Sequence, residues 1–139
     1  MAAPAVKSVT ASWQSRGLVF SGGREGGTAV TIDGDGHEGP SPMDTLLVAL
    51  AGCTGSDVVV VLKKKRVDLR ALDVEIKGMR REQEPRRYTK IDIVYRVHAP
   101  GATEQAVRHA IDLSLEKYCS VTHSLNPDIP IGYELVLQA

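Results

Sequence analysis

Between Thr45 and Leu62 the chain reads TLLVALAGCTGSDVVVVL, with apolar or small side chains on nearly every helical face and one ionisable carboxylate, Asp57. A surface helix shows a single apolar stripe, so a segment like this belongs in the middle of a structure. Its start is punctuated. Ser41 stands at the N-cap, Pro42 at the first helical position, and Asp44 three residues after Ser41 completes a capping box. Lys63, Lys64, Lys65 and Arg66 then place cations against the negative end of the helix dipole. Valine at positions 58 to 61 makes a strand the competing reading, and the length of the segment favours helix.

The flanking segments alternate with period two. Val6, Val9 and Ala11 mark a first strand, and Gly17–Phe20 and Thr28–Ile32 form a hairpin around the glycine-rich stretch Ser21–Gly27. The cluster from Asp33 to Pro40 ends that hairpin in a loop. After the helix, Leu72, Val74 and Ile76 alternate, as do Ile91, Ile93, Tyr95 and Val97, around a charged turn from Arg80 to Arg87. Thr103 caps another helix, in which Val107, Ala110, Ile111, Ser114, Leu115 and Tyr118 recur at helical spacing and carry Cys119 beside the apolar face. A closing strand follows Pro127 and Pro130, with Ile131, Tyr133, Leu135 and Leu137 on one face.

The expected fold is α+β, a single domain over residues 1–139 with two helices packed on antiparallel sheet. The apolar residues of the central helix exceed what one small sheet covers, which predicts a homodimer. Lysine plus arginine equals aspartate plus glutamate at 17 each, so charge offers no case for nucleic acid or an anionic membrane surface. The N-terminal segment from Met1 to Trp13 lacks the pattern of a secretory signal. No apolar stretch is read as reaching the ~20 residues that span a bilayer, and a cytoplasmic location is expected.

Only two cysteines occur, Cys53 and Cys119, so a disulfide framework is excluded. Taken alone, each reads first as a small buried apolar residue. Cys53 lies well beyond the first helical turn, where the dipole could activate it, and shares a face with Ala49, Asp57 and Val60. A charged Asp57 opposes ionisation of Cys53, so a reactive thiolate there needs a cation. His123, four residues after Cys119, finds no further cysteine or histidine spacing to complete a metal site, and His37 precedes the central helix in the loop. No metal and no cofactor are expected.

The run from Gly39 to Val58, GPSPMDTLLVALAGCTGSDV, resembles the peroxidatic-cysteine helix of the OsmC/Ohr family. Gly22-Gly23-Arg24-Glu25-Gly26 is similar to the family's arginine loop, and Tyr118-Cys119-Ser120-Val121 to the segment of its second cysteine. The resemblance implies an intertwined dimer of OsmC-like fold, with antiparallel sheets on two long helices and active sites at the subunit interface. It also implies an organic hydroperoxide reductase acting in oxidative-stress defence. Cys53 then attacks the hydroperoxide, Cys119 resolves the sulfenic acid as a disulfide, and Arg24 supplies the cation. A dithiol reductant, for some members a dihydrolipoyl protein, completes the cycle. Where the family's peroxidases carry a glutamate that pairs with the arginine, this chain has Met43, and Asp44 beside it already serves as a cap. The alternative is a noncatalytic or weakly catalytic dimer that binds a small apolar ligand at its interface.

Overall fold

In the computed structural model, which describes residues 5–138, most elements follow from the punctuation above, with informative differences. Residues 1–4 of the N-terminal segment lie outside the described residues. The chain divides into two units, Met1–Leu46 and Leu47–Ala139. The N-terminal unit holds a three-stranded antiparallel sheet in the order β1 (Thr10–Trp13), β2 (Val19–Gly23), β3 (Val30–Asp33). The first strand begins later than the alternation implied. Its pairing starts at Thr10 opposite Gly23, where β2 ends, so Val6 and Val9 have no partner strand and remain exposed. The glycine-rich stretch is also only partly turn. A Cβ on Gly22 would sit 3.1 Å from that of Ala11, so the missing side chain is what lets β1 lie close along Ser21–Gly23.

The loop after β3 is organised by one carboxylate. Asp33 accepts the N–H groups of Asp35 (2.9 Å), His37 (3.1 Å) and Glu38 (3.0 Å). Those bonds, that from Glu38 first, hold its carboxyl below the usual aspartate range. Glu38 in turn takes a forked pair of bonds from Arg16. This loop delivers the chain to α1 (Pro42–Lys64), where the Ser41 hydroxyl accepts the Asp44 N–H at 3.1 Å.

The helix α1 closes on a Schellman motif: the Val67 N–H donates to Leu62 O and the Arg66 N–H to Lys63 O, both at 3.0 Å. Arg66 fills the left-handed position with φ of 60°, where glycine is the common choice. At 23 residues α1 has the length and hydropathy of a bilayer-crossing segment, which corrects the expectation that no stretch reaches that size. Leu50, Thr54, Gly55, Val58 and Leu62 recur at three- and four-residue spacing and form its buried face.

That face lies on a second sheet, ordered β4 (Ala71–Arg80), β5 (Tyr88–His98), β6 (Ile131–Gln138). Gly55 makes the close contact: a Cβ there would stand 3.4 Å from Val74 Cγ2. The strands β4 and β5 form the expected antiparallel hairpin, whereas β5 and β6 are parallel. The fold class is α+β as expected, but this sheet is mixed where antiparallel pairing was read. The chain leaves β5, crosses through helices and returns to the sheet running in the same direction, and a parallel neighbour requires such a crossover. The second expected long helix is divided as well, into α2 (Glu104–Leu113), a π-helical turn (Ser114–Tyr118) and α3 (Ser120–Ser124).

The buried Tyr88 ring packs against Gly78 on the neighbouring strand, and a Cβ at Gly78 would come within 2.5 Å of it. Gly78→Ala is therefore expected to lower unfolding free energy by about 1–3 kcal/mol through overpacking, measured as a drop in the urea midpoint with an unchanged m-value.

Candidate active site

Four side chains from three elements build a buried polar chain beside α1. The Ser114 hydroxyl donates to Asp57 Oδ2 at 2.9 Å, Ser114 Oγ and Thr54 Oγ1 are 2.8 Å apart, and Thr54 Oγ1 and Tyr95 Oη 2.7 Å apart. Each hydroxyl has one proton. Because Ser114 gives its proton to the carboxylate, Thr54 must donate to Ser114 and Tyr95 to Thr54, so the whole chain points at Asp57. Thr54, Ser114 and Tyr95 are fully buried, and the bonds satisfy each hydroxyl.

Beside that carboxylate lie both cysteines. The sulfurs of Cys53 and Cys119 and an Asp57 carboxylate oxygen all fall within 4.8 Å of one another. Cys53 and Asp57 meet because four residues make one helical turn, as the sequence implies. Cys119 arrives by a route the sequence did not show. The π-helical turn closes when the Cys119 N–H donates to Ser114 O at 2.7 Å, five residues back, and this brings Cys119 off the line of α2 to the N-cap of α3. A π turn widens a helix by one residue per turn and commonly marks a functional site.

Both sulfurs are reduced. Cys53 is half-buried and Cys119 fully buried. Burial pushes the Cys119 thiol up, and proximity to Cys53 adds to that; donation from Thr122 acts the other way. The Thr122 N–H reaches the Cys119 sulfur at 3.5 Å. Its hydroxyl is buried beside the same sulfur.

Arg24 belongs to the N-terminal unit. It is exposed at the head of the turn between β2 and β3, which closes by a bond from the Gly27 N–H to Arg24 O at 2.9 Å. Thus Cys53, Cys119 and Asp57 form one cluster within the C-terminal unit, and Arg24 is carried by the other. His123 stands outside the cluster, which as a cation site would offer two sulfurs and one oxygen, a donor short of a closed tetrahedral zinc set. Thr54, Ser114, Tyr95 and Thr122 escaped the sequence reading. Thr54 follows Cys53 directly and Ser114 interrupts an apolar face, which are the two signals that could have flagged them.

The OsmC-like protein family profile matches residues 34–134, which takes in α1, both cysteines and nearly all of the second sheet. The chain belongs to this family. Protein YhfA of Escherichia coli (strain K12) is 40% identical to it over 123 residues, spanning 86% of this chain and 92% of YhfA. A protein of Aquifex aeolicus VF5 has the same fold at a TM-score of 0.82 and 33% identity, covering 98% of this chain and all of the other. The organic hydroperoxide resistance protein OhrB of Bacillus subtilis shares the fold at a TM-score of 0.60 and 17% identity, over 93% of this chain and 96% of its own. Membership in the OsmC-like family matches the expected fold class, and the similarity to YhfA extends well beyond the cysteine helix.

The polar chain is open to a pH test. Burial, the largest influence, pushes the Tyr95 phenol up to about 12 from an ordinary value of 10.0. A raised acid pKa means that the fold favours the neutral phenol. Its contribution is complete below pH 10.0 and lost as pH rises through about 12. Tyr95→Phe is expected to cost about 1–2 kcal/mol at neutral pH by leaving Thr54 without its donor. In urea denaturation at several pH values that deficit should shrink across this alkaline window.

Proposed function

We propose that this chain is a cytoplasmic two-cysteine peroxidase that reduces organic hydroperoxides to alcohols in defence against oxidative stress. The observation that carries the reading is the pair of reduced sulfurs within 4.8 Å, one half-exposed and one buried. That is the asymmetry expected of an attacking and a resolving thiol. The Cys53 thiolate takes the distal oxygen of the hydroperoxide, the O–O bond breaks, and the alkoxide leaves as an alcohol on gaining a proton. The Cys53 sulfenic acid then condenses with the Cys119 thiol, releasing water and forming the disulfide, which an external dithiol such as a dihydrolipoyl protein reduces by exchange. Arg24 is assigned the cation that offsets Asp57 and favours the Cys53 thiolate.

The fully reduced protein mixed with cumene hydroperoxide in a stopped-flow instrument, with intact-mass analysis of quenched samples, tests this directly. Two thiols should disappear rapidly, Cys53→Ser should abolish the reaction, and Cys119→Ser should stop at an oxidised Cys53. Arg24→Ala should slow the loss of the first thiol about 10²-fold. If neither cysteine outpaces a free thiol, the peroxidase reading fails. The alternative, an OsmC-like dimer that binds an apolar ligand, then takes its place. That alternative draws support from the apolar groove along α1 and β4, lined by Val48, Val59, Leu72 and Val74.

We further propose that a second copy covers this groove. Val48 is 63% and Val60 50% exposed although both stand on the most apolar helix of the chain. Such residues are usually covered by another subunit. Val48→Glu should shift the protein from dimer to monomer in sedimentation velocity at micromolar concentration, and a wild-type monomer under the same conditions would overturn the assignment.

A further inference from the structure

We infer that Asp57 is the proton acceptor and donor of the disulfide-forming step, a role that rests on the peroxidase reading for its physiological setting. Cys119 is wholly buried, and burial holds its thiol in the protonated form, which is a poor nucleophile. Resolution therefore needs a base at the sulfur. Within 4.8 Å of both sulfurs stands one carboxylate, on which the directed chain from Tyr95 through Thr54 and Ser114 ends. Ser114 occupies Oδ2 and leaves the lone pairs of Oδ1 without a donor among the described residues.

The groups that face this carboxylate fit the role. Towards the core it meets Cys53, Cys119 and the hydroxyl chain. Outward it borders a cavity of about 530 Å³, with Val60, Val61 and Leu113 on its walls and Lys64, Lys65 and Tyr118 also lining it. A sulfenic oxygen on Cys53 lengthens that side chain by one atom, and the same oxygen must leave as water.

The step balances with Asp57 alone. The carboxylate takes the proton of the Cys119 thiol, and the freed electron pair on that sulfur forms the bond to the Cys53 sulfur. The S–O bond of the sulfenic acid breaks with its electrons on oxygen, Asp57 returns the proton to that oxygen, and water departs. Cys119 is oxidised and Cys53 reduced to the disulfide level. The hydroperoxide that made the sulfenic acid is the sole oxidant. The carboxylate that opposes a thiolate at Cys53 in the first step is thus the group the second step requires.

The variant to make is Asp57→Asn, whose amide oxygen still accepts from Ser114 but cannot take a proton at neutral pH. Two readouts on the full chain separate this inference from the peroxidase reading. In the first, cumene hydroperoxide oxidises the reduced protein and a dimedone adduct on Cys53 reports the sulfenic acid. D57N should form the sulfenic acid no more slowly than wild type but close the disulfide about 10²-fold more slowly. Its closure should also accelerate with rising pH as hydroxide replaces the carboxylate, whereas wild-type closure should be flat near neutrality.

The second readout needs no peroxide. Cys53 is converted to its mixed disulfide with thionitrobenzoate, and attack by Cys119 releases the coloured thiol. That release should slow about 10²-fold in D57N. Should D57N fail to fold by far-UV circular dichroism, wild-type release is measured in D2O and H2O, and an isotope-insensitive rate overturns the inference. Equal closure and release rates in folded D57N and wild type, with the same pH profile, also overturn it. An inert Cys53 towards hydroperoxide, with a slow release in D57N, overturns the peroxidase reading and leaves Asp57 as the base of Cys119.

Discussion

Ser114 joins the two halves of the cysteine site. Its carbonyl holds the Cys119 N–H at 2.7 Å and so fixes the π-helical turn, while its hydroxyl holds Asp57 at 2.9 Å and accepts from Thr54. One fully buried residue therefore sets where the second sulfur arrives and how the carboxylate beside both sulfurs is aimed. An apolar residue at that place would leave the Thr54 proton without its acceptor and Asp57 Oδ2 without its donor in a low-dielectric interior, where an unmade hydrogen bond is costly. The sheet, α1 and the segment after α2 all meet at this serine through Tyr95, Thr54 and Asp57 on one side and Cys119 on the other.

The site contains an electrostatic conflict that follows from this arrangement. Two thiols and a carboxylate share a small, partly dehydrated space, and no two of them can be charged without mutual opposition. Burial pushes the Cys119 thiol up, and the hydroxyl chain ends on Asp57. The half-buried Cys53 is left as the sulfur that an external reagent meets first. Order among the three groups comes from their different burial rather than from residue type, since the two cysteines are chemically identical.

The helix α1 serves three demands along one length. Its start is set by the loop that Asp33 organises, its middle carries Cys53, Thr54 and Asp57, and its end is closed by Arg66 in a left-handed conformation. Gly55 lets the helix approach Val74 closely, which brings Thr54 at the preceding position within reach of Tyr95. Such close approach is what places a polar chain inside an otherwise apolar layer.

Local sequence alone determined most of the elements. The Ser41-Pro42 start of α1, the Thr103 cap of α2, the Leu72–Val97 hairpin and the closing strand are all written in capping chemistry and hydrophobic period, which act over a few residues. The adjacency of Cys53 and Asp57 is likewise a matter of helical pitch. Tertiary structure decided the rest: the parallel pairing of β6 with β5, the π turn that diverts Cys119, and the buried chain from Tyr95 to Asp57. Residues 54, 95 and 114 carry ordinary side chains at ordinary positions in the sequence. What makes them a site is non-local packing, because a hydroxyl becomes part of a directed chain only when the fold removes water and leaves each proton a single acceptor.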